Sequence, residues 1–255
     1  MAHPFRTLTL TVAAMTLGGW AALAAASASA APSPAVAAAL ADPARTPAEK
    51  ARDEQRKAAE VVEFAQVKPG DKVADLFPGT GYFTHIFAKV VGPTGVVYAA
   101  VGNGKENTPP PANPAYPNIS VNMQPWDQFS PPDKLDVVFN SQFYHDLFNP
   151  EFDPPSGGPE ALAKVNKAIF NALKPGGVYV VIDHSGRPGT GYSENNTLHR
   201  VEESVVKDEL KQAGFVLEAE SEVLRNPADP RDKIVFDPSI RGKTDQFMLR
   251  FRKPK

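Results

Sequence analysis

The chain runs to 255 residues, with 27 lysines and arginines against 29 aspartates and glutamates, a formal net charge of −2 and no cysteine. Nearly balanced charge, with basic residues such as Lys164, Lys167, Lys207 and Lys211 spread along predicted helices, lacks the basic patch of a nucleic-acid binder, so no nucleic-acid partner is expected. Without cysteine there are neither disulfides nor thiolate metal sites.

Near the N-terminus Arg6 precedes an apolar run from Leu8 to Leu23, and Ala28-Ser-Ala30 places small residues where a signal peptidase cuts. Residues 1–30 therefore read as a secretory signal peptide, removed after Ala30 on export to the periplasm. No stop-transfer cluster follows the run, so no membrane anchor is expected in the mature chain. Losing Arg6 takes the net charge from −2 to −3. Residues 31–44, rich in Ala and Pro, read as a flexible tail, and 45–255 as one domain long enough for a sizeable core.

A helix is predicted from Thr46 to Gln66, with Thr46 as N-cap, Pro47 in the first helical position and Glu49 completing a capping box. After Lys68-Pro-Gly-Asp71 a short apolar strand, Val73 to Leu76, runs into Phe77-Pro-Gly-Thr-Gly81, and Tyr82 to Val91 resumes with helical spacing at Phe83, Ile86, Phe87 and Val90. Further strands are predicted at Val96–Val101, Ile119–Met123, Leu135–Asn140, Val178–Asp183, Phe215–Leu224 and Gln246–Arg252. Helices are predicted at Glu160–Leu173 and Val201–Ala213, the latter ending at Gly214. Residues 102–134 carry eight prolines and form a loop; this loop and the insertion 149–159 are either a lid over a ligand edge or rigid spacers. Apolar runs alternating with helices predict a doubly wound α/β fold, its parallel sheet covered on both faces.

The strand, turn and helix at 73–91 make the most informative segment. Gly79 and Gly81 let the backbone approach a ligand, the helix start offers unpaired amides, and Asp75 ends the strand. The spacing Asp-x-x-x-Gly-x-Gly is not the Gly-x-Gly-x-x-Gly of dinucleotide folds, and no phosphate loop of the Gly-x-x-x-x-Gly-Lys type occurs. It resembles the first motif of the class I S-adenosylmethionine-dependent methyltransferases, with a seven-stranded, mostly parallel, Rossmann-like sheet, over about Thr46 to Lys255. More narrowly, Arg45-Thr-Pro, Pro78-Gly-Thr-Gly-Tyr, Tyr144-His-Asp146, His199-Arg200 and Arg241-Gly-Lys-Thr-Asp245 resemble a bacterial group of exported predicted methyltransferases. The resemblance implies S-adenosylmethionine as cofactor, a small-molecule substrate, and cofactor contacts from Asp75, Phe77, Gly79, Gly81, Asn103, Trp126, Asp127 and Asn140. It also implies an acidic residue at the end of the second strand, where Val101 stands and Asn103 is the polar substitute. Trp126 reads equally as a loop aromatic covering the core.

Catalytic chemistry is expected beyond the carboxyl ends of the strands. Asn140-Ser-Gln-Phe-Tyr-His-Asp146 and Asp183-His184 end two strands that are neighbours in such a sheet, so His145, Asp146, Asp183 and His184 are expected to converge, with His199 near the same edge. Imidazole beside carboxylate suits removal of a proton from a hydroxyl or amine, and His145 is the expected base, with Asp146 or Asp183 orienting it. A purely structural role for these residues is the alternative. No metal is expected: neither His-x-x-x-His nor His-Glu-x-x-His occurs, and adjacent His-Asp pairs do not easily reach one ion. Ser185 lacks the Gly-x-Ser-x-Gly elbow of a hydrolase. Arg225, Arg231 and Arg241 read as surface partners of Asp229 and Asp232. Two other functions stay open: an exported binding protein without turnover, and an enzyme using the same pocket for other chemistry.

Overall fold

The uninterrupted apolar runs become the inner strands of a seven-stranded sheet. The computed structural model describes Met1 and residues 31–103, 108–149 and 157–255, so the predicted leader lies outside the described residues. The strands are β1 (Lys72–Leu76), β2 (Val96–Val101), β3 (Ile119–Met123), β4 (Leu135–Ser141), β5 (Leu173–His184), β6 (Val216–Ser221) and β7 (Gln246–Arg252). Their order in space is β3-β2-β1-β4-β5-β7-β6. β1 to β5 pair in parallel, and β7 runs antiparallel to both β5 and β6.

Helices cover both faces. On one lie α1 (Pro34–Leu40), α3 (Ala58–Ala65) and α4 (Tyr82–Val91), whose Val36, Val62, Ile86 and Phe87 share a cluster with Val73, Val97, Val137 and Phe139. On the other lie α5 (Gly158–Ala172) and α7 (Glu203–Gln212), whose Leu162, Ile169, Val206 and Leu210 pack with Ala74, Leu76, Val138 and Tyr179. Neighbouring residues of one strand thus serve opposite clusters, as the two-residue period of the pleat requires, and each buried aliphatic side chain contributes about 1.5–3 kcal/mol. Among the described residues no helix is long and apolar enough to cross a membrane.

The start of the chain departs from expectation. Instead of a flexible tail, residues 34–40 form α1, capped by Ser33 and burying Val36 and Ala39. Alanine has the best helix propensity, and the three-residue spacing of Val36 and Ala39 supplies an apolar stripe. The predicted helix from Thr46 to Gln66 is interrupted: α2 covers Pro47–Lys50, turns follow, and Lys57 sits at φ 49° before α3. Its middle, Ala51 to Lys57, has no apolar face to bury. Its arginines turn onto α4 instead, where the Arg52 and Arg56 guanidiniums lie 5.0 and 4.8 Å from the Tyr82 ring centre, joined by Arg45 at 5.5 Å.

The capping box is as predicted: the Glu49 amide donates to Thr46 Oγ1 at 3.2 Å, and the Thr46 amide to Glu49 Oε2 at 2.7 Å. Thr46→Ala is expected to cost about 1 kcal/mol in urea denaturation; an unchanged midpoint would show that the box contributes nothing. Lys174-Pro-Gly-Gly177, between the helix predicted to Leu173 and the strand predicted from Val178, lies within β5. It is accommodated as a bulge, because Leu135 pairs with Leu173 and Val137 already pairs with Val178.

Candidate active site

Two groups of predicted site residues sit at the carboxyl edge of the parallel strands. The first surrounds the turn between β1 and α4. Asp75 is buried, and Thr84 Oγ1 donates to its Oδ2 at 2.6 Å. Burial pushes the Asp75 carboxyl up to about 7, with the Thr84 bond and the charge of Arg56 pulling the other way. Gly79 and Gly81 have φ of 57° and 89°. A Cβ on Gly79 would meet nothing within 4 Å, whereas one on Gly81 would lie 3.2 Å from both His85 Nε2 and Pro110 Cβ. Only Gly79 therefore leaves open space for a ligand; the room beside Gly81 is taken by the protein's own His85 and Pro-rich loop.

Phe77, also at positive φ (54°), stacks on Phe143 at 4.5 Å, and Phe143 packs on Trp126 at 5.0 Å. Trp126 is buried in the core, as in the alternative reading of that residue, yet its Nε1 has no hydrogen-bond partner among the described residues. Asn140 is fully buried; its Nδ2 donates to Tyr179 Oη at 3.2 Å while its Oδ1 is unpartnered. Asp75 bonds into the α4 face and Asn140 into the α5 face, so the two do not share one wall. Asn103 is exposed beyond β2. Asp127 lines a separate cleft of about 420 Å³ with Lys134, Lys164 and Lys167, which includes no residue of the glycine turn.

The second group does converge. The His145 amide donates to Asp183 Oδ2 at 2.8 Å, and His145 Nδ1 lies 2.8 Å from Asp183 Oδ1. His145 Nε2 is 3.1 Å from His199 Nδ1 and 3.4 Å from Asp146 Oδ2, and Asp146 Oδ1 is 3.7 Å from His199 Nδ1. Three features build this arrangement: the 3₁₀ turn Tyr144–Phe148 after β4, the end of β5, and a positive φ (54°) at His199 just beyond α6 (Asn195–Leu198). His184 turns away to Thr244 Oγ1 at 2.8 Å, and burial pushes its imidazole down to about 3.

Position decides what each group can do. His145 is 3% exposed, with one nitrogen on Asp183 and the other facing His199, so it does not meet a substrate directly. The expected base is thus enclosed by its own neighbours. The His199 side chain, 25% exposed and edge-on to Phe236 at 4.9 Å, is the member that faces outward. Burial opposes charge on His145, but the Asp183 carboxylate outweighs it and raises that imidazole, whereas burial and then the charge of His145 lower His199. Burial lifts Asp146 to about 6 and works on Asp183 in the same direction, but the charge of His145 brings Asp183 down. A raised histidine beside a lowered one separates a proton holder from a proton acceptor.

A cleft of about 500 Å³ opens at the same edge, lined among others by Arg52, Arg56, Ser141, Gln142, His184 and Arg241. Sequence reading missed Arg52 and Arg56; their signal was the four-residue spacing of two arginines between α2 and α3. Arg241 had been read as a surface partner. It is indeed exposed, and also lines this cleft; Asp229, in contrast, is buried and binds the fully buried Arg200 at 2.9 Å, while Arg231 pairs with Asp245 at 2.9 Å. No metal was expected because adjacent His-Asp pairs do not easily reach one ion, yet one donor atom each from His145, Asp146 and His199 lie within 4.8 Å of one another. The His145 ring, anchored at Nδ1, is long enough to carry Nε2 back over its neighbour's carboxylate.

No protein-family model matches this sequence, and neither does any curated protein. Solved structures match its fold. A SAM-dependent methyltransferase from Aquifex aeolicus is 19% identical with a TM-score of 0.51, the match covering 79% of this chain and 92% of that one. The N-methyltransferase NodS from Bradyrhizobium japonicum, in complex with S-adenosylhomocysteine, is 13% identical with a TM-score of 0.52, covering 86% and 97%. The cyclase SpnF is 16% identical with a TM-score of 0.54, covering 78% and 80%. The chain therefore has the fold of the class I methyltransferases, a fold that also carries an enzyme described as a cyclase.

Proposed function

We propose that the protein is an S-adenosylmethionine-dependent methyltransferase acting on a small molecule. The observation that carries this reading is the open, left-handed Gly79 between the buried carboxyl of Asp75 and the start of α4. Asp75 would hold the ammonium end of the cofactor and the backbone at Gly79 would lie against it. When bound, S-adenosylmethionine supplies an electrophilic methyl group. His199, neutral and facing outward, accepts the proton of an acceptor hydroxyl or amine, and His145 on Asp183 fixes its position. Arg52, Arg56 and Arg241 favour an acceptor that carries an anionic group. Export with cleavage after Ala30 remains part of the proposal; it would leave three residues ahead of α1, and N-terminal sequencing of protein from fractionated cells tests it.

Calorimetry with S-adenosylmethionine and S-adenosylhomocysteine tests the cofactor. Wild type is expected to bind both, and Gly79→Val to lose at least tenfold in affinity while staying folded, because the new side chain enters open space at a backbone cost of about 1–3 kcal/mol. Failure of wild type to bind either compound at millimolar concentration would refute the assignment. The apolar Val101 that ends β2 and the exposed Asn103 beyond it favour a second reading, a ligand-binding protein without methyl transfer; tight binding with no methylated product would select it.

A further inference from the structure

We propose that His145, Asp146 and His199 form a binding site for one divalent transition-metal ion, oriented from behind by Asp183. Two imidazole nitrogens and a carboxylate are a donor set suited to Zn²⁺, Fe²⁺ or Mn²⁺. Ligand bonds of about 2.0–2.1 Å at tetrahedral angles place neighbouring donors about 3.3–3.4 Å apart. The separations here are 3.1 Å between the imidazoles, and 3.4 and 3.7 Å from the Asp146 oxygens to His145 and His199. The last two distances run to different oxygens, Oδ2 and Oδ1, and one donor atom from each residue lies within 4.8 Å of the others, so a small turn of the Asp146 carboxylate closes the triangle around an ion.

The surroundings point the same way. Asp183 is fully buried and takes both the backbone amide and Nδ1 of His145, which leaves the Nε2 lone pair directed at His199 and Asp146. A metal-bound histidine is characteristically held through its other nitrogen by a carboxylate in this manner. Asp146 Oδ1 is buried without a hydrogen-bond partner. In the metal-free cluster, a proton shared between the two imidazoles satisfies one nitrogen pair and leaves the Asp146 carboxylate facing a lone pair. A cation satisfies all three donors together. The partial exposure of His199 gives the ion a way in. Three protein ligands leave coordination positions for water or a substrate oxygen. With the ion in place both histidines are ligands, and an acceptor hydroxyl is activated by the metal instead of by His199. The site stands whether or not the protein transfers a methyl group.

The test uses the native chain, purified without chelator for elemental analysis, then stripped and titrated calorimetrically with Zn²⁺ and with Mn²⁺. About one ion per chain is expected for at least one of them, with affinity falling at least 100-fold in His199→Asn and Asp146→Asn, and about 10- to 100-fold in Asp183→Asn. Asparagine tolerates the left-handed backbone at residue 199, so His199→Asn keeps the test open even if a buried variant misfolds. The rise in thermal midpoint produced by the ion should vanish in the same variant. Stoichiometry far below one with both ions, or unchanged affinity in folded His199→Asn, would overturn the site. Binding of S-adenosylhomocysteine, measured separately on stripped protein, reports on the cofactor and leaves this result untouched.

Discussion

Replacing Arg200 by alanine is expected to cost about 3–5 kcal/mol of folding stability. Its guanidinium is fully buried and makes two bonds to Asp229, at 2.9 and 3.2 Å, and one each to the carbonyls of Ser185 and Lys233, both at 3.1 Å. Alanine would leave two carbonyls and a buried carboxylate without their cation. Asp229 would keep only the amides of Asp245 and Arg231, at 2.7 and 3.0 Å. The double variant Arg200→Leu/Asp229→Leu should lose less than the sum of the two single changes, because the charges leave together. Urea unfolding of the three variants measures this. A loss below about 1 kcal/mol for Arg200→Ala would mean that water takes over its bonds.

The second large effect has the opposite sign. Asp75→Asn is expected to stabilise the ligand-free protein at neutral pH, by up to about 4 kcal/mol if the full shift is realised. The unfolded carboxyl ionises near its ordinary value of 3.8, but burial holds the folded one protonated up to about 7. The unfolded state thus releases its proton first, and wild type loses stability as pH rises across that window, with no further loss above it. Asparagine has no proton to lose, so its advantage should grow from pH 4 to pH 7 and then level off. Parallel pH profiles of unfolding for the two proteins would contradict this. The same substitution should weaken S-adenosylmethionine binding, since a cation placed beside Asp75 is what would favour its charged form.

The inner strands of the sheet were legible because they are buried on both faces, whereas the edge strands β3 and β6 are largely exposed. β2, β3 and β7 keep the predicted limits, and the apolar runs leave no other period to choose. The breaks were less legible. Ala51 to Lys57 has good helix formers, and only the rings of Tyr82 and Phe83 on another helix explain why its arginines turn away. The Ala/Pro segment at 31–44 has a composition shared by linkers and short helices, and burial of Val36 decided between them.

For the site, neighbouring strand ends brought His145, Asp146 and Asp183 together as expected. Which imidazole faces outward depends on one positive φ at His199, and no local pattern announces it. Glycine itself was ambiguous: Gly79 and Gly81 look alike in the motif, yet one borders open space and the other a proline. The arginines of the cleft come from segments far apart in sequence, joined only when the chain folds.

The placing of β7 carries a consequence for the order in which the molecule assembles. The last strand in sequence is inserted between β5 and β6 instead of being added at the rim. β6 therefore has no strand to bond to until β7 has formed, and joins the sheet only through it, although it precedes β7 by some twenty-four residues. Refolding should show β1, β2, β4 and β5 gaining amide-exchange protection first, with β6 and β7 acquiring it together in a later phase. In the native protein the same pair should open as one unit, exposing the edge of β5 whenever β7 leaves.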